Sequence, residues 1–151
     1  MSRHHAGLGT VLLLGAFLMG CSSMDAQPTA VTDVGANKTF MSAAADVGPE
    51  GGILSCGPYT LEIPAGALSY TAHITMAQEA ANQWPVTLGP DGTQFAVPAT
   101  LTFNLAGEAN PAAMQVAWWN PSTSGWVPQA TKHNADLAVS EISHFSRWVV
   151  Q

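Results

Sequence analysis

Histidine and cysteine side chains, which most often act as bases, nucleophiles or metal ligands, are few and widely spaced in this sequence. His73, His133 and His144 lie far from one another along the chain. The sequence contains no His-x-x-x-His pair and no closely spaced cysteines, the spacings that would suggest a zinc site. Cys56 has no histidine near it in sequence, and a lone cysteine is usually a small buried apolar side chain. We therefore predict no bound metal, no cofactor and no cysteine nucleophile.

One base and one hydroxyl do lie close together in sequence, at His144 and Ser146. A general base must come within hydrogen-bond reach of the hydroxyl that it activates. In a regular strand, residues two apart are separated by about 6.6 Å along the chain, so their side chains share a face without touching. Activation of the Ser146 hydroxyl by His144 therefore requires a kinked or strained backbone. We favour a plain closing strand in which the peptide bond before Ser146 stays intact.

The carboxylates are scattered and form no acid–base pair in the sequence. Glu62 and Glu141 fall at outward positions of predicted strands, and Asp91 lies in a predicted turn. No glycine-rich phosphate loop or nucleotide fingerprint is present. These observations argue against an enzyme acting on an external substrate.

The N-terminus has the three-part design of a secretory signal. Arg3 supplies the basic start, an apolar run extends from residue 8 to residue 18, and Leu18-Met19-Gly20-Cys21 places a small residue before a cysteine. The apolar run is too short to span a bilayer, which needs about 20 apolar residues. The segment resembles a bacterial lipoprotein signal, and that resemblance implies removal of residues 1–20 and lipidation of Cys21. The protein would then be anchored to a membrane without crossing it.

The charge of the chain argues against nucleic-acid binding. Without residues 1–20, only Lys38, Lys132 and Arg147 remain against ten acidic residues, and neutralising phosphates requires clustered basic side chains. Residues 21–50 are rich in Ala, Ser, Thr, Asp and Gly without sustained periodicity, so we predict a flexible tether behind the lipidated Cys21. Residues 51–151 have the size of one domain.

Beyond residue 51 the sequence has the pattern of an all-β protein. Tyr59, Leu61 and Ile63 alternate with polar residues, as do Leu101, Phe103 and Leu105. Each set is expected to share one face of a strand and to point inward. Gly- and Pro-containing turns separate the runs. We predict an antiparallel β-sandwich of about seven to eight short strands, with further strands at 53–55, 72–77, 115–120, 126–129, 137–141 and 145–150.

The tryptophans provide candidate ligand contacts. Trp118, Trp119 and Trp126 flank the predicted turn at residues 120–125, and Trp148 lies on the last strand. Alternation places Trp118 and Trp119 on opposite faces, so one is expected in the core and one partly exposed. Exposed indole rings could stack on the sugars of peptidoglycan or a surface glycan. Trp119 and Trp126 are the candidates for that contact.

The order of several short elements resembles the ZU-five domain, a module of zonula occludens, netrin-receptor and ankyrin proteins that also occurs in bacterial surface proteins. The elements are Gly51-Gly52, the run from Leu61 to Leu68, Ile74-Thr75, the run from Leu88 to Phe95, Pro98 to Leu101, Trp118 to Trp126, and Ser143 to Ser146. The resemblance covers about residues 50–150 and implies a β-sandwich. Animal members serve mainly in protein interaction and scaffolding, and the family has no shared ligand.

The resemblance also gives His144-Phe145-Ser146 a possible chemistry. In some relatives a His-hydrophobic-Ser element cuts its own backbone through attack of the hydroxyl on the preceding carbonyl. The counterparts here are His144 as base, Phe145 as the residue with the scissile carbonyl and Ser146 as nucleophile.

Three functions are therefore open, in order of preference. The first is a lipid-anchored, non-catalytic protein-interaction or structural module of the bacterial cell envelope, on the outer membrane if the organism has one. The second is a glycan-binding module that uses Trp119 and Trp126. The third is a self-cleaving domain at Phe145-Ser146. The expected partners are the membrane, through Cys21, and envelope proteins or glycan.

Overall fold

A computed structural model describes residues 41–79 and 84–151 of the chain. These residues form strands and one short 3-10 helix at Pro111–Ala113. The strands are β1 (Ser42–Val47), β2 (Gly52–Cys56), β3 (Tyr59–Ile63), β4 (Ala72–Gln78), β5 (Val86–Gly89), β6 (Gln94–Asn104), β7 (Val116–Asn120), β8 (Gly125–Pro128), β9 (Lys132–Asn134), β10 (Leu137–His144) and β11 (Arg147–Val150).

The strands form two sheets in which all pairings are antiparallel. One sheet has six strands in the order β1-β4-β5-β11-β7-β8, and the other has five strands in the order β2-β3-β6-β10-β9. The predicted all-β sandwich is confirmed. The described residues contain no helix that is both long and apolar enough to cross a membrane.

The core is built by the alternation that the sequence shows. Leu101, Phe103 and Leu105 are fully buried, and so are Tyr59 and Leu61. The Tyr59 and Phe103 rings pack edge to face with centroids 5.5 Å apart, an arrangement that aromatic pairs prefer. The predicted strand faces are therefore correct at these positions.

One polar contact lies inside the sandwich. The Tyr59 hydroxyl, from the five-stranded sheet, hydrogen bonds with the side chain of Gln78, from the six-stranded sheet. Burial raises the pKa of Tyr59 to about 12, because the charged phenolate would lose its hydration in the core. The contact links the two sheets through their interior.

The structure has eleven strands in its described residues, more than the seven to eight predicted. β5 was not predicted; it buries Val86 and Leu88 on one face, an alternation of only two apolar residues. β9 was missed because all of its residues are exposed, so it has no apolar alternation to detect.

The boundary between tether and domain also needs correction, because β1 lies within residues 21–50. Ala43, Ala45 and Val47 are buried in the core. Alanine has a low intrinsic preference for strands, so the small apolar alternation of β1 was not recognised in the sequence. Pairing with β4 and burial against the core stabilise it as a strand.

Candidate functional site

The segment His144-Phe145-Ser146 forms the corner between the two sheets. β10 ends at His144 in the five-stranded sheet, and β11 begins at Arg147 in the six-stranded sheet. The pairing of β10 with β6 is irregular between Ile142 and His144. The closing strand predicted at 145–150 therefore begins only at Arg147, and the backbone changes sheet at the candidate cleavage position.

The corner is held by hydrogen bonds from the neighbouring loop. Phe145 N–H donates to the Thr93 carbonyl at 2.9 Å, and Gly92 N–H donates to the Phe145 carbonyl at 3.2 Å. The Ser146 carbonyl accepts from Leu88 N–H at 3.0 Å. The Phe145 ring is fully buried. The carbonyl that a nucleophile would attack is thus already in a hydrogen bond, in a well-packed turn.

The candidate base and nucleophile point to different partners. Ser146 Oγ donates to the Trp119 carbonyl at 3.5 Å. The His144 ring packs edge to face against Trp118 at 4.9 Å between centroids, and His144 Nδ1 lies 3.4 Å from Ser143 Oγ. No hydrogen bond joins His144 to Ser146 in the part of the chain that the structure describes. This arrangement does not form an activated serine, and the intact Phe145-Ser146 bond stays a prediction.

Trp119 and Trp126 do come together, as cross-strand partners of β7 and β8. Their rings are 5.4 Å apart between centroids and are inclined at 72°. Both are half-buried and lie on the outer face of the six-stranded sheet. Trp118, on the opposite face of β7, is also half-buried and packs against the core. The two predicted ligand contacts thus form one surface cluster.

Arg147 completes that cluster. Its guanidinium carbon lies 5.8 Å from the centroid of the Trp119 ring and 5.4 Å from that of Trp126, within the range of cation–π attraction. The other side of the guanidinium pairs with Glu79. Thr87 Oγ1 in turn donates to Glu79 Oε1 at 2.7 Å. We call Trp119, Trp126, Arg147, Glu79 and Thr87 the tryptophan–arginine cluster.

The tryptophan–arginine cluster is more ordered than an ordinary surface ion pair. The side chain of Arg147 is 41% exposed and that of Glu79 is 25% exposed. Cation–π contacts with two indoles and the ion pair with Glu79 together restrain the guanidinium. The cluster therefore presents aromatic surface, a cation and a carboxylate in a set geometry.

Sequence reasoning identified the tryptophans of this cluster but not Arg147, Glu79 or Thr87. Thr87 and Arg147 are register partners of neighbouring strands, and only the strand order brings them beside Trp119. One signal was available in the sequence. Arg147 is one of four basic residues in the whole chain, and it directly precedes the buried strand residues Trp148, Val149 and Val150.

The outer face of the five-stranded sheet carries a different set of side chains. A groove of about 350 Å³ lies there, lined by Thr100, Gln129, Ala130, Lys132, Val139 and Glu141. Lys132 Nζ pairs with Glu141 Oε1 at 3.3 Å. The pair is highly exposed, with 81% of the Lys132 side chain accessible. Such pairs contribute little to stability or to ligand orientation.

The remaining predicted residues lie apart from these surfaces. Cys56 is buried, as predicted. His73 pairs with Asp46 at 2.7 Å on an exposed surface, and His133 is exposed on β9. The described residues contain no group of three His, Cys, Asp or Glu that could hold a metal ion. Cys21 lies outside the described residues.

Comparison with known proteins gives no assignment. The chain matches no protein-family model, and it matches no curated protein.

Proposed function

We propose that the chain is a lipid-anchored, non-catalytic module of the bacterial cell envelope that binds a partner through the tryptophan–arginine cluster. The observation that carries this proposal is the cluster itself. Trp and Arg are the side chains most enriched at energetically important positions of protein interfaces. Here they are held on a rigid sheet, which lowers the entropy lost when a partner binds.

The proposed contact is with an envelope protein, in keeping with the resemblance to the ZU-five domain. The partial exposure of both indoles leaves apolar area for a partner to cover. Arg147 and Glu79 can both form hydrogen bonds at the rim of that area. Crosslinked envelopes should yield a protein partner that is retained by the wild-type chain and lost in Trp126→Ala. Tyr70→Ala, which removes an exposed aromatic ring outside the cluster, is the matched control and should retain it.

A glycan is the second candidate partner, and the geometry of the two indoles favours it. Rings inclined at 72° form a shallow aromatic corner that could receive one face of a sugar, while Glu79 accepts hydrogen bonds from hydroxyl groups. Co-sedimentation with purified peptidoglycan separates the two candidates. A glycan ligand predicts weaker sedimentation of Trp126→Ala by about tenfold, equivalent to about 1.4 kcal/mol, with Tyr70→Ala unchanged. No sedimentation of the wild-type chain would eliminate peptidoglycan as the ligand.

Anchoring is proposed to occur through Cys21, which would become the N-terminus after removal of residues 1–20. Cys21→Ser removes the sulfur that carries the lipid. The variant should stay as an unprocessed or mislocalised precursor without attached lipid, as measured by fractionation and intact-mass spectrometry. Normal processing and membrane association of this variant would rule out the lipoprotein assignment. That result would not bear on the proposed role of the tryptophan–arginine cluster.

A further inference from the structure

The four edge strands of the sandwich differ in how well they are protected from pairing with another chain. β8 ends in Pro128, which has no N–H to donate. β9 has only three residues and begins with Lys132. β1 and β2 contain neither proline nor a basic residue, and β1, with six residues against five, is the longest edge strand. Protein edge strands are commonly blunted by proline, lysine or short length, and β1 has none of these features.

The hydrogen bonds of β1 show which of its groups face the open edge. Gln78 N–H donates to the Met41 carbonyl at 2.9 Å. In antiparallel pairs the bonded positions alternate, so Ala43, Ala45 and Val47 bond to β4. The N–H and C=O groups of Ser42, Ala44 and Asp46 therefore point away from the sheet. The register of β1 with β4 is unbroken from Ser42 to Val47, so this alternation holds along the whole strand.

We propose that β1 pairs antiparallel with β1 of a second copy of this chain, about a two-fold axis at Ala44. This register places Ala44 opposite Ala44 of the second copy, and Ser42 opposite Asp46 of the second copy. Every outward N–H and C=O of Ser42, Ala44 and Asp46 then finds a partner. The two six-stranded sheets become one continuous sheet.

The side chains of β1 are complementary to themselves in this register. Ser42, Ala44 and Asp46 lie on the outer face of the strand and are exposed or half-buried. The Ser42 hydroxyl can donate to the carboxylate of Asp46 in the second copy, and the pair recurs by symmetry. The methyl groups of the two Ala44 residues are small enough to lie side by side on the axis. Like charges are kept apart, because the two Asp46 side chains lie at opposite ends of the interface.

Cysteine crosslinking in the full chain, in its own membranes, tests the register. Ala44→Cys places two thiols on residues whose Cα atoms are about 5.5 Å apart in a hydrogen-bonded pair, within the usual range for a disulfide. Mild oxidation should give a dimer on a non-reducing gel that reductant removes. The native Cys56 is buried, so the wild-type chain should give no crosslinked dimer on the same gel.

The matched control is Ser42→Cys, which lies on the same strand and the same face. In the proposed register, Ser42 residues of the two copies are offset by four positions, about 14 Å, and should not crosslink. The double variant Ser42→Cys with Asp46→Cys should crosslink again. Adding Ala44→Pro to that double variant should abolish the dimer, because proline removes a donor that points outward while leaving the bonds to β4 intact.

Three results would overturn the proposal. Equal crosslinking of Ala44→Cys and Ser42→Cys would show random collision on the membrane. If Ala44→Cys fails to crosslink although tryptophan fluorescence confirms its fold, β1 does not pair with a second copy. A preceding segment of the same chain would then be the candidate to pair with β1. A heavier adduct containing another envelope protein would assign the edge to that protein.

Discussion

The outer faces of the two sheets are made by the same strand alternation but present different surfaces. On the six-stranded sheet, Thr87, Arg147, Trp119 and Trp126 follow one another across neighbouring strands. Cation–π contacts, an edge-to-face indole pair and an ion pair with Glu79 join them. On the five-stranded sheet the corresponding row is Ser55, Thr60, Thr102, Val139 and Lys132. The first face is a structured aromatic cluster, and the second is a hydroxyl-rich surface ending in an exposed cation.

This difference shows that a binding surface depends on which side chains become neighbours across strands. Each face holds one of the two cations among the described residues, Arg147 or Lys132. Arg147 is fixed by two indoles and Glu79. Lys132 has one exposed carboxylate partner. Substitutions on each outer face, and in the core between the two sheets, test this contrast.

The largest loss of stability is expected from a substitution in the core, directly beneath the outer face of the five-stranded sheet. Phe103→Ala removes a fully buried ring that packs on Tyr59 and should lower the free energy of unfolding by about 3–5 kcal/mol. Thr102→Ala changes the adjacent residue on the outer face and should cost less than about 1 kcal/mol. Denaturant titration of the two variants checks the assignment of faces. Equal losses would contradict it.

A smaller effect is expected from removing the two cations. Arg147→Ala takes away both cation–π contacts and leaves the partly buried Glu79 without its ion-pair partner, so it should cost about 1–2 kcal/mol. Lys132→Ala removes only an exposed pair and should cost less than about 0.5 kcal/mol. The free energy of unfolding, measured at low and at high salt, should fall more in Arg147→Ala than in Lys132→Ala. If Lys132→Ala were as costly as Arg147→Ala, the cluster would not be the better ordered surface.

The interior contact between the sheets has the smallest effect near neutral pH, because it changes the free energy of unfolding only above about pH 10. The pKa of Tyr59 is raised in the folded chain to about 12, whereas an unfolded tyrosine titrates near 10. The folded state therefore binds more protons between these values, and its stability falls as pH rises from about 10 to about 12. Tyr59→Phe should remove part of this fall in the free energy of unfolding. Thr102→Ala, which removes a hydroxyl on the outer face of the five-stranded sheet, is the control and should keep the wild-type slope.

Much of the fold could be read from alternation in the sequence. The strand at Tyr59–Ile63 was predicted with its observed bounds, and the inward positions of Leu101, Phe103 and Leu105 are confirmed. The sequence did not predict β1 or β9, and the reason differs between the two strands. β1 buries only small side chains, and β9 buries none. Their strand conformation comes from pairing with β4 and β10.

The sequence by itself determined the class of fold, the faces of the main strands and the position of the tryptophans beside a turn. These are local properties, because alternation and turn residues act over a few neighbours. Only the tertiary structure decided that Arg147 lies over Trp119 and Trp126 and pairs with Glu79. Arg147, Trp119 and Trp126 come from separate strands and Glu79 follows β4, so their contact depends on the order β4-β5-β11-β7-β8. Long-range pairing of this kind is selected by burial of the whole core, so no short stretch of sequence encodes it.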